Sequence, residues 1–295
     1  MTRVLYIAGT GRSGSTLVTN MLGQLDGVHA AGELRYLWQR GALDNRPCGC
    51  GSLFADCPVW IDAMKRLDAD PATVAAGLRR RLRMRRLPAL LWRRRVPSRP
   101  EDAALADLYA TLGEALVVDS SKLPPYGLLV DGLPGVDVRV LHLVRDPRAA
   151  AFSWRRRRGL DGPGDERLMH RPPVVKAALL WLVWNTAAAL LWRRSGRYLR
   201  VRYEDLVADP RRVIRRIAAF AGVDGDFSFV EPGAVRLAPT HSVAGNPSRH
   251  RAGTVPVVAD HEWMSALSGP AYAVVTLVTA PALRRFGYPF RRREV

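Results

Sequence analysis

The chain has 295 residues, 48% of them hydrophobic, which is ordinary for a globular protein and enough for one large α/β domain with an insertion. It carries 45 Lys and Arg against 27 Asp and Glu, a net charge of +18 that predicts attraction to anions: nucleotides, acidic substrates, nucleic acid or an anionic membrane. Only Lys65, Lys122 and Lys176 are lysines, and so strong an arginine bias in an alanine-rich chain reads equally as genome composition.

The first apolar run, residues 4–8, ends in glycines and reads as a buried parallel strand. No signal-type apolar stretch follows a basic start, which predicts a cytoplasmic protein. Residues 13–25 place Leu17, Val18, Met21, Leu22 and Leu25 at helical spacing. Strand, glycine loop, helix is the opening of an α/β unit. Further strands are predicted over 115–118, 138–144 and 198–203, and helices over 147–158, 173–194 and 210–221. A proline near the start of each helix suits a first turn, where a missing N–H costs nothing. The alternation predicts a central, mostly parallel sheet covered on both faces.

Residues 35–114 break this rhythm and read as a substrate-side insertion carrying helices within a single domain. It contains Cys48, Cys50 and Cys57, whose clustering fits a reducing compartment better than a disulfide framework. Three thiols and a fourth ligand from elsewhere could hold Zn²⁺. The favoured expectation is a loop with small buried thiols, and no metal is assigned. The insertion also contains the basic segment 79–95, with Trp92 its one aromatic. Stacking on nucleic-acid bases is therefore poorly supported, whereas contact with an anionic membrane surface suits the segment. Two apolar runs, 177–192 and 270–283, are shorter than the roughly 20 residues of a membrane span and are expected to be core helices. Nothing in the sequence fixes an oligomeric state.

The glycine loop, residues 9–16 (GTGRSGST), fits two templates. Gly9, Gly11 and Gly14 match a dinucleotide fingerprint with Glu33 as a ribose ligand. Gly9, Gly14 and Thr16 match a nucleoside-triphosphate loop in which Ser15 replaces the lysine. Both templates close backbone N–H groups on an oxyanion at a helix N-terminus. The missing lysine disfavours a triphosphate. Ser13, Ser15 and Thr16 with Arg12 suit a monophosphate-sized anion held without metal.

With these residues in view, the loop resembles the 5′-phosphosulfate loop of sulfotransferases that use 3′-phosphoadenosine 5′-phosphosulfate (PAPS). Arg12 is similar to the residue found in the carbohydrate and tyrosylprotein branches, and the chain resembles a bacterial member. Residues 143–153 (LVRDPRAAAFS) resemble the 3′-phosphate motif, which maps its arginine and serine to Arg145 and Ser153. Residues 201–210 (VRYEDLVADP) resemble the segment whose tyrosine lies near adenine, which maps to Tyr203. Residues 241–253 resemble a loop closing over the nucleotide, with Ser242, Arg249 and Arg251 as phosphate-ligand candidates. The resemblance implies a P-loop-like three-layer fold and a PAPS donor. Gly11 through Thr16 would then hold its phosphosulfate.

Sulfuryl transfer needs in-line geometry, a base for the acceptor proton and positive charge on the leaving phosphate. Glu33 is the best base candidate, by resemblance to relatives that carry a glutamate after the first helix; His142 is the rival and is expected to be a core histidine. Lys122, directly after a strand, resembles the family lysine near the donor's bridging oxygen. Arg12, Glu33 and Lys122 form the candidate catalytic set, with no metal required. The acceptor is expected to be a hydroxyl or amine of a carbohydrate, lipid-linked or other small molecule. The alternatives are a P-loop small-molecule kinase and a non-enzymatic binder of anionic membrane or nucleic acid.

Overall fold

The computed structural model describes residues 1–93, 99, 101–113, 116–156, 159 and 171–291. Five strands form one all-parallel sheet in the order β2–β3–β1–β4–β5. The first, β1 (Thr2–Gly9), is buried at every position except Arg3, as a central strand covered on both faces must be. The glycine loop leads from it into α1 (Ser15–Leu22). This helix is shorter than predicted because Gly14, at φ +90°, delays its start and Gly23 ends it. Next comes β2 (Val28–Gly32), an edge strand the sequence pattern does not reveal.

Between β2 and the next sheet strand lie short helical turns and four helices: α2 (Pro58–Lys65), α3 (Pro71–Arg81), α4 (Leu87–Arg93) and α5 (Glu101–Thr111). The chain returns through β3 (Leu116–Lys122), α6 (Pro124–Asp131), β4 (Val136–Val144), α7 (Pro147–Arg155), α8 (Val174–Trp192) and β5 (Tyr198–Arg202). The predicted start of β3 at 115, the boundary at 114, the predicted helix end at 157–158 and basic residues 94–95 lie outside the described residues. Tyr203, expected to end a strand, instead opens α9 (Tyr203–Ala208), which is followed by α10 (Pro210–Ala221). A small antiparallel sheet, β6 (Val230–Glu231), β7 (Ala234–Leu237) and β8 (Gly253–Pro256), follows. The chain closes with α11 (Glu262–Ala266) and α12 (Gly269–Leu283).

Alternation along β1 builds the three layers. Val4, Tyr6 and Ala8 face a core completed by Leu105, Leu108, Tyr126 and Trp192. Leu5 and Ile7 face the opposite core, with Val18, Met21, Ile214 and Ile217. The predicted core helix α8 spans 19 residues with mean hydropathy 1.7, long and apolar enough by those measures to cross a membrane. It packs on α7, α12 and the sheet, yet leaves Val175, Leu179, Val183 and Leu190 exposed. Asn185 within it is buried; its amide nitrogen donates to Trp181 O (2.8 Å) and its Oδ1 faces His142 Nε2 (2.9 Å). His142 Nδ1 meets the Tyr198 hydroxyl at 2.6 Å. With both ring nitrogens engaged and burial pushing its pKa down to about 4, His142 is a core histidine.

The end of β3 is fixed by Asp119. Its Oδ2 accepts from the Tyr109 hydroxyl (2.6 Å), and its Oδ1 accepts from the Ser121 amide (2.8 Å) and hydroxyl (2.5 Å). Ser121 Oγ in turn accepts from the Arg35 amide at 3.1 Å. Asp119→Ala removes an acceptor from three buried donors, at about 1–3 kcal/mol each when unsatisfied. It is expected to destabilise the chain by at least about 3 kcal/mol, read as a lowered urea midpoint at unchanged m-value. A midpoint within error of wild type would refute this account of the β3 terminus.

Candidate active site

Because the five sheet strands are parallel, their carboxyl ends lie along one edge, and each delivers a piece of one cleft. The cleft measures about 620 Å³ and takes its loop from β1, Glu33 from β2, Lys122 from β3, Arg145 from β4 and Tyr203 from β5.

The loop leaves β1 at Gly9 (φ +135°), where a Cβ would sit 2.4 Å from Leu143 O. At Gly14 a Cβ would lie 2.4 Å from the Tyr203 ring. Only glycine fits either position. Arg12 is left-handed at φ 68°, and its guanidinium lies 4.7 Å from the Trp154 ring centroid. Lys122 shares this conformation at φ 67°. Such backbone costs an L-residue about 1–2 kcal/mol, and its occurrence at two lining residues marks the cleft as a built feature. Gly11, Arg12, Gly14, Ser15 and Thr16 line the cleft, with Ser15 and Thr16 in the first turn of α1. Ser13 is buried beneath it, and its Oγ has no hydrogen-bond partner among the described residues.

Glu33 and Lys122, 89 residues apart, form a direct ion pair. Lys122 Nζ donates to Glu33 Oε1 at 2.8 Å, to Ser120 O at 2.6 Å and to Ser15 Oγ at 3.3 Å. Burial pushes the Glu33 pKa up, but Lys122, Arg35 and Arg40 outweigh it, so the carboxyl is held below its ordinary value. Burial lowers the Lys122 pKa although Glu33 opposes it. The pair therefore places a carboxylate and an ammonium together beside the helix N-terminus. Its near wall, unforeseen in the sequence, is Tyr36 between the guanidinium groups of Arg35 (4.0 Å) and Arg40 (3.7 Å).

Arg145 occupies the opposite end of the cleft. Nη1 donates to Arg12 O (3.2 Å), Nη2 to Asp260 Oδ2 (3.0 Å), and the guanidinium lies over the Tyr203 ring at 4.5 Å. Asp260 also accepts from Arg156 at 3.0 Å, and the two arginines overcome its burial to hold its carboxyl below the usual range. Ser153, two turns into α7, lines the same end. Asp146 caps α7 through the Arg148 amide (2.8 Å), and Glu204 Oε1 accepts from the Asp146 amide at 2.9 Å. Glu204 thus braces the turn carrying Arg145.

The chain between β7 and β8 crosses above the loop. Asn246, Ser248 and Arg251 line the cleft from this crossing. Ser242 and Arg249 do not. Ser242 is buried against Gly32 and Gly49, and Arg249 turns away to donate to Pro47 O at 3.2 Å. The backbone at these two positions follows the crossing while their side chains pack beneath it. Asp260, Arg156, Trp154, Tyr36 and Arg40 were missed because no local motif surrounds them. The one available signal was the acid pair Asp260 and Glu262 in a strongly basic chain.

A glycine loop and a helix N-terminus at the carboxyl edge of a parallel sheet form the arrangement on which α/β folds commonly hold phosphate groups. Comparison with known proteins names the class further. Residues 127–227 match the sulfotransferase family model. Carbohydrate sulfotransferase 2 of Mus musculus is 35% identical over 144 residues, covering 36% of this chain and 26% of that protein. Carbohydrate sulfotransferase 7 of Mus musculus is 27% identical over 216 residues, covering 59% and 44%. The chain thus spans less than half the length of these two relatives. The solved sulfotransferase domain from the Synechococcus PCC 7002 olefin synthase is 25% identical, with a TM-score of 0.62, over 97% of this chain and 95% of that one. The chain is thus similar to sulfotransferases over residues 127–227 and in its overall fold.

The ion pair has a measurable signature. A carboxyl whose folded pKa is depressed contributes stability above its unfolded pKa of about 4.3 and loses it as pH falls through the folded value. Lys122→Met removes the largest lowering influence and leaves burial opposed by Arg35 and Arg40. The Glu33 pKa is then expected to rise above its wild-type value, read by carboxyl carbon NMR titration. An unshifted titration would mean that the pair is not maintained in solution.

Proposed function

We propose that the chain transfers a sulfuryl group from PAPS to a hydroxyl or amine of a carbohydrate or lipid-linked acceptor. The observation carrying this reading is the Glu33–Lys122 pair, 2.8 Å apart, beside the glycine loop. The residues fit the donor: the loop and Ser15 and Thr16 suit the phosphosulfate, and Arg145 and Ser153 suit the 3′-phosphate, with the buried Arg145 Nε without a partner among the described residues. Tyr203, which already packs on Gly14, would border the base. The donor supplies an activated sulfuryl group. An acceptor oxygen or nitrogen bonds to sulfur as the sulfur–oxygen bond to the 5′-phosphate breaks. Glu33, held as a carboxylate, takes the acceptor proton, while Lys122 and Arg12 stabilise charge on the leaving phosphate. Nothing in this scheme calls on a metal. The names of the curated relatives and the aromatic and guanidinium wall of Tyr36, Trp184, Arg35 and Arg40 support a sugar acceptor.

The nucleotide product, 3′,5′-bisphosphoadenosine, is expected to raise the melting temperature far more than ATP with Mg²⁺ or NAD, which lack a 3′-phosphate. Equal stabilisation by ATP would favour a kinase. Glu33→Gln is expected to lower turnover about 10²–10⁴-fold with donor affinity little changed. Arg145→Ala is expected mainly to raise the donor KM, and Arg12→Ala to lower kcat. Near wild-type turnover in the glutamine variant would remove Glu33 from the mechanism.

A peripheral membrane contact has its own support, and would suit a lipid-linked acceptor at a cytoplasmic membrane face. Arg79, Arg80, Arg83, Arg85 and Arg86 are exposed, and Trp92 is 90% exposed. Arg81, by contrast, is buried in an ion pair with Asp102. An apolar groove formed by α4, α8 and α12 adjoins this segment, so cations and hydrophobes share one side. Vesicles containing phosphatidylserine are expected to bind the protein at low salt and release it as salt rises. Absence of low-salt binding would make the arginine content compositional.

A further inference from the structure

We propose that Cys48, Cys50, Cys57 and His241 form a closed, structural zinc site that pins the insertion to the chain crossing above the glycine loop. The three sulfurs and one histidine nitrogen, drawn from segments 184 residues apart, all lie within 4.8 Å of one another. A tetrahedral Zn²⁺ with bonds of about 2.3 Å to sulfur and 2.0–2.1 Å to nitrogen needs ligand–ligand edges of about 3.8 Å between sulfurs and about 3.5 Å from sulfur to nitrogen. Cys50 Sγ and Cys57 Sγ are 3.9 Å apart, and Cys57 Sγ lies 3.2 Å from His241 Nδ1. The first edge matches, the second is about 0.3 Å short of the ideal, and no two of the four ligand atoms are more than 4.8 Å apart.

Local structure holds the ligands in place. A tight turn brings Cys48 and Cys50 to one side: the Cys48 amide donates to Ser52 O (2.8 Å), the Gly51 amide donates to Cys48 O (2.9 Å), and Gly51 is left-handed at φ +97°. Cys57 holds the N-cap position of α2, and the Ile61 amide in that helix donates to its carbonyl at 2.9 Å. The turn is docked on the crossing chain by Gly49, whose amide donates to Ser242 O at 2.9 Å; a Cβ on Gly49 would lie 2.4 Å from Ser242 Oγ. Phe54 stacked on Trp60, with His29 against the edge of Trp60, walls one side.

Four protein ligands leave no open position, so the ion would serve structure and not catalysis. Its leverage is positional. Val243 and Ala244, two and three residues after His241, bond to the strand carrying the base: the Val243 amide donates to Ala31 O (3.0 Å) and the Glu33 amide donates to Ala244 O (3.3 Å). An ion at this place would fix the crossing chain at the point where it touches Glu33.

The test uses the full chain, purified without chelators. Mass-spectrometric elemental analysis is expected to find about one zinc per chain. Titration with an organomercurial should release it in step with loss of three thiols. Exchange for Co²⁺ should give thiolate charge-transfer absorption and the intense visible bands of a tetrahedral ion. Cys57→Ser should lose the metal. Should that variant fail to fold, His241→Asn keeps three thiolates and should lose zinc to a chelator faster than wild type by more than the roughly 10–100-fold typical of a lost outer partner. A zinc-supplemented, folded chain that holds no metal and shows three freely reactive thiols would overturn the proposal. So would a Cys50–Cys57 disulfide in the freshly purified protein.

Discussion

The architecture depends on a single constraint, the turn by which β1 gives way to α1. The chain must reverse against Leu143 on one side and Tyr203 on the other, and it does so only because Gly9 and Gly14 have no side chain to collide with them. That turn sets the height of the helix N-terminus above the sheet. Every other contribution to the cleft is measured from it: Lys122 reaches Ser15, Arg145 reaches the carbonyl of Arg12, and Trp154 lies against Gly11. A parallel sheet makes this convergence inevitable, since its strands all end on the same side.

Electrostatics explains why so basic a cleft is stable. Arginines and a lysine crowd around the loop, and their mutual repulsion is relieved at two points, Glu33 at one end and Asp260 at the other. Buried ion pairs of this kind add little net stability, because desolvation offsets their attraction. What they provide is orientation: each carboxylate fixes cationic groups that would otherwise point into solvent.

The sheet was legible in β1, β3 and β4, which carry buried apolar runs, and in β5, an edge strand whose YLRVR alternates basic with apolar residues. It was illegible at β2, where Val28–Gly32 (VHAAG) mixes a histidine, two alanines and a glycine. The short strands β6–β8, rich in glycine and proline neighbours, give too few residues for a period of two to register. The site divides along the same line. Glu33, Lys122 and Arg145 each follow a strand and stood out one by one. The pairing of Glu33 with Lys122, the bond from Arg145 to Asp260 and the approach of His241 to Cys57 join residues 89, 115 and 184 positions apart. Such contacts are created by topology, and no local pattern encodes them. Ser242 and Arg249 show the converse: a loop can be recognised while the facing of its side chains, which alternates irregularly, is not.

Asp260 sits where it sets a threshold for anions. Its carboxylate already satisfies one edge of Arg145 and half-buried Arg156, so a small ion such as inorganic sulfate gains little by entering: it must displace or share a bond that exists and face a negative neighbour. A ligand large enough to touch the glycine loop and Arg145 together collects contacts at both ends of the cleft and can tolerate that opposition. For the donor proposed above, an internal competitor of this sort would make a strongly cationic surface discriminate against small anions.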